Sequence, residues 1–286
     1  NKQNQTPETV AAVDETKGQV LSYKGDIIET YYYSTSYGHT GDYEAWNLDK
    51  DAYGYLQGVW VRSEENPIDL SDEKSFLDYI SNVDSACYES DLKYFRWNTV
   101  LDFQGKDETL LHTIADRKEH QPEAISYYKD ASKTEKTDSC SNFGSLQAIK
   151  VVKRNQSGVI LELELDFQNG AVSVQSEYNM RAILGCGITN INLLDGSSVE
   201  MSILPSAYIS IQAKGDGTYA VLGGGYGHGI GMSQNGAQKL CGQGFDYKRI
   251  LNYFYQDTEL TELYQPQNMT TVSYTHLRAH ETRSNL

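Results

Sequence analysis

The sequence predicts an α+β fold built from mixed, mostly antiparallel sheets and short helices, arranged as two closely packed lobes. Segments with strand-type alternation and segments with helical apolar spacing are mixed along the chain without a βαβ rhythm, and internal repeats are not apparent. Hydrophobic residues make up 39% of the 286-residue chain, and aromatic residues 11%, which is enough for a substantial core.

The first third of the chain predicts a helix and then a hairpin. Thr6 can cap a helix that has Pro7 at its first position and ends near Thr16. Two strand-like segments within residues 19–33 surround a turn and predict a hairpin. This hairpin leads into the serine-threonine segment 34–36, which we expect at the end of a sheet.

The middle third predicts two further helices and a polar stretch. Ser71 can cap a helix, and its apolar face would consist of Phe76, Leu77, Ile80 and Val83. A second helix carries Leu110, Leu111 and Ile114. Residues 121–142 are polar and charged, so we expect a solvated loop and place a weak lobe boundary there.

The last third predicts strands, two of which lead into a glycine-rich loop. Alternation in residues 148–153 and 159–167 predicts a hairpin, and residues 206–213 and 218–222 predict two more strands. Helices are expected at residues 177–184, after Ser233, and after Asp246.

The glycine-rich loop is the most informative segment of the chain. Residues 223–240 read GGGYGHGIGMSQNGAQKL, with six glycines in the nine positions 223–231. Glycine permits positive φ and close approach of another backbone or a ligand, so this density in a folded domain favours a functional site. The alternative is a flexible linker. The N-cap Ser233 and the apolar helix face that follows it argue against a linker.

Three motifs in the same order resemble the stage II sporulation protein D family, which includes the amidase enhancer LytB. The glycine loop resembles GWGHGVGMSQWGA, with Tyr226 and Asn235 where tryptophans are common. Residues 12–40 resemble the segment that ends in an S-T-S-x-G-x-T turn, and residues 55–59 resemble Y-L-x-G-V. The matches extend from about residue 12 to about residue 254, with a poorly matching middle.

The two ends of the chain predict a fragment. The resemblance implies an upstream membrane anchor, a glutamate-bearing segment of the type Y-V-x-G-V-V-x-x-E-M-P and an A-R-T-Y-type helix, and none of these occurs in the sequence. Residues 272–286 begin with a stretch similar to a translated sequencing adapter, so we assign the family domain to residues 1–271. His276 and His280 lie in that stretch, and we assign no metal site to them.

Composition excludes some classes of function. A net charge of −15 argues against nucleic acid and against electrostatic attachment to anionic lipid. The 22 tyrosines suit a sugar-binding surface, although a β-rich exported protein would also contain many. The four cysteines form no C-x-x-C pair, so neither a redox dithiol nor a zinc knuckle is indicated, and whether any of them pair stays open.

The resemblance implies an enzyme that cleaves peptidoglycan glycan without hydrolysis and leaves a 1,6-anhydro end. One carboxyl group with a raised pKa can make both proton transfers. No residue here matches the family's glutamate, so the catalytic residue stays unassigned, and we expect the chain alone to be inactive. The alternatives are a non-catalytic wall-binding enhancer of an N-acetylmuramoyl-L-alanine amidase and an exported carbohydrate-binding domain of another kind.

The same resemblance implies the surroundings in which the protein works. We expect septal peptidoglycan thinning during engulfment, with peptidoglycan glycan strands and engulfment-complex proteins as partners. An extracytoplasmic location follows, with a membrane anchor in the full-length protein. No cofactor, metal ion or nucleic acid is expected.

The candidate binding residues are polar groups and glycines of the motifs, each with a structural alternative. Hydroxyls of the serine-threonine turn can bind sugars or close the turn, and the helix-start residues can bind a ligand amide or cap. Arg181 can bind a carboxylate or form a structural salt bridge. We expect the glycine loop and the serine-threonine turn to meet and to line one carbohydrate groove. The candidates are Ser34, Thr35, Ser36, His39, Arg181, Gly227, His228, Gly229, Ser233 and Gln234.

Overall fold

The computed structural model describes residues 6–64 and 68–263, which form two compact units. Of these residues, 6–28 and 259–263 belong to the smaller unit, and 29–64 and 68–258 belong to the larger. The helices are α1 Pro7–Glu15, α2 Lys50–Tyr53, α3 Glu73–Ile80, α4 Asp107–His120, α5 Glu177–Gly185, α6 Gln234–Gly242 and α7 Tyr247–Phe254.

The strands are short, and they are distributed over four sheets. They are β1 Gln19–Tyr23, β2 Asp26–Ile27, β3 Tyr32–Tyr33, β4 Trp97–Asp102, β5 Ile125–Tyr128, β6 Lys136–Thr137, β7 Leu146–Arg154, β8 Ile160–Phe167, β9 Gly170–Val174, β10 Ile191–Leu193, β11 Ser198–Val199, β12 Ile209–Ala213, β13 Thr218–Gly223, β14 Met232–Ser233 and β15 Glu259–Glu262. Pairing is antiparallel except between β3 and β14, so the predicted α+β class with mostly antiparallel sheets and short helices is confirmed.

The smaller unit combines α1 with a three-stranded sheet. The Thr6 hydroxyl accepts a hydrogen bond from the backbone of Thr9, and Pro7 follows it, so the predicted start of α1 is confirmed. The sheet has the order β15-β1-β2. In it Leu21, the partner of Leu260, is buried.

The larger unit is organised around two five-stranded sheets. One has the order β11-β10-β4-β13-β12, and the other β6-β5-β9-β8-β7. Inward side chains of both sheets belong to one hydrophobic core, together with apolar residues of α4 and α5. The buried members include Leu101, Ile114, Leu165, Ile183 and Val221. Because burial of such side chains is the main stabilising term, this core fixes the sheets that lead into the glycine loop.

The predicted loop at residues 121–142 is wrong in part. Ile125 and Tyr127 are buried on β5, which pairs with β9 and β6, and Cys140 is also buried. Tertiary pairing overrides the polar composition here, because most of the charged residues lie outside the two short strands β5 and β6. The structure shows this segment inside the larger unit, and the proposed lobe boundary stays a prediction.

Two predicted elements, helix α3 and the second hairpin strand, have different boundaries in the structure. Helix α3 is capped by Asp72, whose carboxylate accepts a hydrogen bond from the backbone amide of Ser75. Ser71, the predicted cap, instead donates its amide to the Asp69 carboxylate. Val83 lies beyond α3 and is exposed. The second hairpin strand ends at Ile27 instead of Tyr33, because the chain then leaves the β1 sheet and β3 pairs with β14.

The other predicted helix starts are confirmed. Ser233 and Asp246 accept hydrogen bonds from backbone amides of α6 and α7, and α5 begins at Glu177. All four cysteines are free. In the described residues, no helix has both the length and the apolar character needed to cross a bilayer.

Candidate functional site at the junction of the two motifs

The glycine loop and the serine-threonine turn meet through backbone pairing. Strands β3 and β14 lie side by side, so Tyr33 is the partner of Ser233. Beyond them Thr35 and Tyr226 exchange two backbone hydrogen bonds of 3.2 and 2.8 Å. The Gly41 amide donates to the Gly229 carbonyl at 2.6 Å. The predicted meeting of the two motifs is therefore what the structure shows, and we call this region the motif junction.

Two glycines of the loop are required by close approach. Gly229 has φ of +80°, and an added Cβ would lie 2.2 Å from the Tyr208 ring. Gly231 has φ of +76°, and its added Cβ would lie 2.2 Å from the Tyr31 carbonyl oxygen. Side chains would be strained in this backbone region and would also clash. Gly229 thus lets the loop lie against Tyr208, and Gly231 lets it lie against the backbone that leads into β3 and the serine-threonine turn.

A buried glutamate outside both motifs lies at the centre of the junction. Glu89 has no exposed surface. Its Oε1 accepts from the Ser36 amide at 3.0 Å and from the Ser233 hydroxyl at 2.7 Å, and its Oε2 accepts from the Ser36 hydroxyl. Burial raises the pKa of Glu89 to about 7, although these hydrogen bonds oppose the rise. Ser36 and Ser233 are therefore occupied by a protein carboxyl group.

His228 uses both ring nitrogens to hold the junction together. Nδ1 accepts from the Ile230 amide at 3.1 Å, so Nε2 carries the proton and donates to the Tyr32 carbonyl at 2.9 Å. Burial lowers the pKa of His228, which keeps the ring neutral. The predicted role as a hydrogen-bonding group is realised within the protein, and only the ring itself is left to face a ligand.

An aromatic face lies on the outer side of His228. We define it by Tyr31, Trp46 and His228, whose rings are half-buried. The Trp46 ring centroid lies 5.0 Å from that of His228 and 4.9 Å from that of Tyr31. Trp46 belongs to the 3₁₀ turn Tyr43–Trp46, which Asp42 caps. Flat, partly exposed rings of this kind provide stacking surfaces for the apolar faces of ligand rings.

Arg181 forms the structural ion pair that was one of its two predicted roles. Its guanidinium donates to Glu177 at 2.9 Å and to the Leu204 carbonyl at 2.9 Å. The Trp46 indole N–H is directed at the other oxygen of Glu177, at 3.4 Å. The pair is thereby linked to the aromatic face, and Arg181 fixes Glu177 there.

His39 lies away from the aromatic face. Its Nδ1 donates to the Thr40 carbonyl at 2.6 Å, and its ring packs edge-on against Trp60 at 4.7 Å. Burial lowers its pKa to about 4. The third motif packs behind the turn here, because Thr40 and Val59 exchange hydrogen bonds through the Thr40 amide and hydroxyl.

The remaining candidates differ in exposure. Thr35 is buried, and its hydroxyl accepts from the Asn235 side chain at 2.9 Å. Asn235 also donates to the Ser34 carbonyl, so this residue in a tryptophan position supplies a bond between the motifs. Ser34 and Gly227 are half-buried and Gln234 is exposed, so these three remain accessible.

Sequence reasoning missed Glu89, Trp46, Asn235 and Glu177 as parts of the site. Trp46 follows the serine-threonine turn closely, and its aromatic character was the available signal. Glu89 carries no local signal, because its partners Ser36 and Ser233 are 53 and 144 residues away. In residues 6–64 and 68–263, no three His, Cys, Asp or Glu side chains are grouped so as to hold a metal ion.

Comparison with known proteins agrees with the motifs. The family model of a domain of unknown function, DUF8618, matches residues 39–231, which is more than half of the chain. The amidase enhancer of Bacillus subtilis (strain 168) is 26% identical over 88% of this chain and 32% of its own length. Stage II sporulation protein D of the same organism is 36% identical over 26% of this chain and 22% of its own length.

The chain thus spans about a third of the length of the amidase enhancer and less of the second relative. The family model runs from His39 to Gly231, so it contains residues 223–231 of the glycine loop and leaves out the serine-threonine segment 34–36 and helix α6. The two relatives support the predicted resemblance to the stage II sporulation protein D and LytB family, and the chain belongs to the DUF8618 family.

Proposed function

We propose that this chain acts on the bacterial cell wall in sporulation, as the glycan-binding part of a peptidoglycan lytic transglycosylase. The names of its relatives, an amidase enhancer and a stage II sporulation protein, support the setting. The observation that supports glycan binding is the aromatic face of Tyr31, Trp46 and His228, held by the motif junction. The protein would work outside the cytoplasm on the septal wall, where it would meet engulfment-complex proteins.

The net charge also bears on how a glycan would be bound. A protein with a net charge of −15 gains little from attraction to a wall polymer that carries carboxylates. Stacking on Trp46 and hydrogen bonds from accessible groups such as Gln234 and the Ser34 hydroxyl would supply the affinity. Binding of this kind depends only weakly on salt, in contrast to binding by a basic patch.

The direct test is sedimentation of the chain with purified peptidoglycan. Trp46→Ala removes the central ring, and we expect an association weaker by about five- to 150-fold, since stacking on one aromatic side chain contributes about 1 to 3 kcal/mol where nucleic-acid bases are bound. Trp46→Phe keeps a ring and should retain most of the binding. Tyr247→Ala removes an exposed aromatic side chain from α7 and serves as the control. Unchanged sedimentation of Trp46→Ala would contradict the proposal.

The lytic activity needs a separate test, because no residue of this chain matches the family's glutamate. We expect the chain alone to bind peptidoglycan and to release no anhydro-ended muropeptides. Analysis of muropeptides after incubation measures this. Anhydro-ended products from residues 1–271 alone would show that the acid lies within the chain.

A second candidate function is enhancement of an N-acetylmuramoyl-L-alanine amidase. The match that covers 88% of this chain is to a protein of that name, which is the specific observation in its favour. Addition of the chain to such an amidase on purified peptidoglycan would then increase the release of stem peptides. No change in rate, with binding intact, would leave the transglycosylase proposal as the better one.

A further inference from the structure

We propose that Glu89 is a positioning residue, whose carboxyl group sets the spacing between the serine-threonine turn and the start of α6 and thereby the shape of the aromatic face. It lies in neither motif, and its oxygens bridge Ser36 to Ser233. The inference that this spacing controls ligand binding rests on the proposed function. The inference that Glu89 holds the two segments together does not.

The carboxyl group has partners on both sides of the junction. Ser36 donates both its amide and its hydroxyl, which fixes the turn relative to the carboxyl plane. Ser233 donates its hydroxyl to Glu89 and accepts from the Gly236 amide at 3.2 Å, so the same oxygen caps α6. A displacement of Glu89 would therefore shift the turn and the helix start together.

The position of Ser233 is transmitted to the aromatic face through β3 and β14. Met232 and Ser233 pair with Tyr32 and Tyr33, and the Tyr32 carbonyl accepts the hydrogen bond of His228. The Tyr33 ring lies 5.5 Å from the His228 ring. A change of a few tenths of an ångström in the distance between Ser36 and Ser233 would thus displace the His228 ring, because well-packed groups transmit such shifts.

Glu89 itself does not reach a ligand. It is fully buried, and Val61 and Gly236 pack in the same place, where an added Cβ on Gly236 would lie 3.1 Å from Glu89 Oε2. The groups that act on it electrostatically are Lys239 on α6 and Tyr33 on β3. The Lys239 ammonium is also paired with Asp91. The role is positional, and the carboxyl group takes no part in contact with sugar.

The protonation state of Glu89 changes the direction of a hydrogen bond at the junction. When ionised, the carboxylate only accepts hydrogen bonds, and burial of its charge is unfavourable. When protonated on Oε2, it can donate to the Ser36 hydroxyl while Oε1 still accepts from both serines. The pKa of Glu89 is raised to about 7, so burial in the closed junction favours the protonated acid. Opening of the junction to water should therefore be less favourable in mildly acidic conditions than in mildly alkaline ones.

The decisive variants are Glu89→Gln and Glu89→Asp. Gln reproduces the donor and acceptor of the protonated acid and cannot ionise. Asp can ionise, but it is one methylene too short to bridge both serines. Glu200→Gln, which alters an exposed carboxyl group far along the sequence, is the matched control. Hydrogen exchange of the amides at residues 34–36 and 232–236, and sedimentation with purified peptidoglycan, are both measured from pH 5.5 to 8.5.

We expect the wild type to bind peptidoglycan severalfold more weakly at pH 8.5 than at pH 5.5, with a midpoint near pH 7. Glu89→Gln should bind equally at both pH values, close to the wild-type level at pH 5.5. Glu89→Asp should exchange the named amides at least tenfold faster. Glu200→Gln should follow the wild type in both measurements.

Two results would overturn the proposal. One is wild-type exchange rates in Glu89→Asp, and the other is a wild-type pH profile of binding in Glu89→Gln. If Glu89→Asp does not fold, the Glu89→Gln profile still decides. If the wild type binds no peptidoglycan at any pH, the proposed function fails, and the exchange rates of the two variants alone decide whether Glu89 positions the junction.

Discussion

The inner and outer sides of the motif junction use the same loops for different purposes. On the inner side Ser36, Glu89 and Ser233 are buried, and both serines donate hydrogen bonds to Glu89. On the outer side Trp46 and His228 are half-buried and present ring surfaces. Buried polar groups must be hydrogen-bonded within the protein, so the inner side holds the two loops together. The outer side is available to a ligand.

This difference changes how the motifs are interpreted. A serine or histidine in such a motif suggests a ligand contact. Both ring nitrogens of His228 are instead hydrogen-bonded to backbone groups, and the Ser36 hydroxyl donates to Glu89. The groups that remain for a ligand are aromatic rings and a few side chains at the rim, such as Gln234. Substitutions can therefore separate the two sides, because inner changes should alter stability and outer changes should alter binding.

The largest expected effect comes from closing the space between the loops. Gly231→Ala places a Cβ 2.2 Å from the Tyr31 carbonyl oxygen, at a residue with φ of +76°. The neighbour is backbone and cannot move aside, so we expect a loss of about 3 to 4 kcal/mol in the free energy of unfolding. Urea denaturation of the purified chain measures it.

Gly242→Ala is the control for Gly231→Ala. Gly242 is the last residue of α6, its backbone is not in the left-handed region, and an added Cβ meets nothing within 4 Å. The variant should lie within about 0.5 kcal/mol of the wild type, because alanine suits a helix end at least as well as glycine does. Equal losses in both variants would mean that the loops are not in the described contact.

The second prediction concerns the pH dependence of stability that arises from the buried His39. The pKa of His39 is lowered to about 4 by burial, so the unfolded chain binds a proton there below pH 6.5 while the folded chain does not. His39 therefore contributes stability that is lost as the pH falls from 6.5 to 4. A shift of this size corresponds to about 3 kcal/mol. His39→Gln should remove that part of the pH dependence, as measured by urea denaturation at several pH values.

Glu89 and His228 sharpen this prediction. The folded pKa of Glu89 is raised to about 7, so its contribution has the opposite sign and falls as the pH rises from 4.5 to 7. Glu89→Gln should therefore make stability rise with pH more steeply than in the wild type. His228 is only half-buried, and His228→Gln should change the pH dependence less than His39→Gln. A larger effect at His228 would reverse the assignment of inner and outer sides.

Much of the fold was predictable from local signals. The caps Thr6, Ser233 and Asp246 are where side-chain oxygens precede apolar helix faces, and all three start helices. The α+β class followed from the mixture of strand-like and helix-like segments. Strand β5 did not follow, because its Ile125 and Tyr127 are embedded in a charged stretch and are buried only through pairing with β9.

The site was predictable in place but not in detail. The glycine loop and the serine-threonine turn were expected to line one groove, and they do meet, because β3 pairs with β14. The direction of each side chain depends on partners far along the chain, such as Glu89 for Ser36 and Glu177 for Arg181. A single sequence contains no signal for such long-range contacts, so the ligand roles assigned to Ser36 and Arg181 stay predictions.

The smallest expected effect tests whether the inner side is as well satisfied as its serines suggest. Tyr33 is buried, and its hydroxyl has no hydrogen-bond partner among the described residues. A buried donor without a partner costs stability, so Tyr33→Phe should raise the free energy of unfolding by about 1 kcal/mol. Tyr37→Phe is the matched control, because the Tyr37 hydroxyl donates to the Ser157 carbonyl at 2.7 Å and its loss should cost about 1 kcal/mol. Thermal unfolding of both variants measures the difference. A lower midpoint for Tyr33→Phe would mean that this hydroxyl has a partner, such as a bound water, and that the inner side is wetter than the contacts of Glu89 imply.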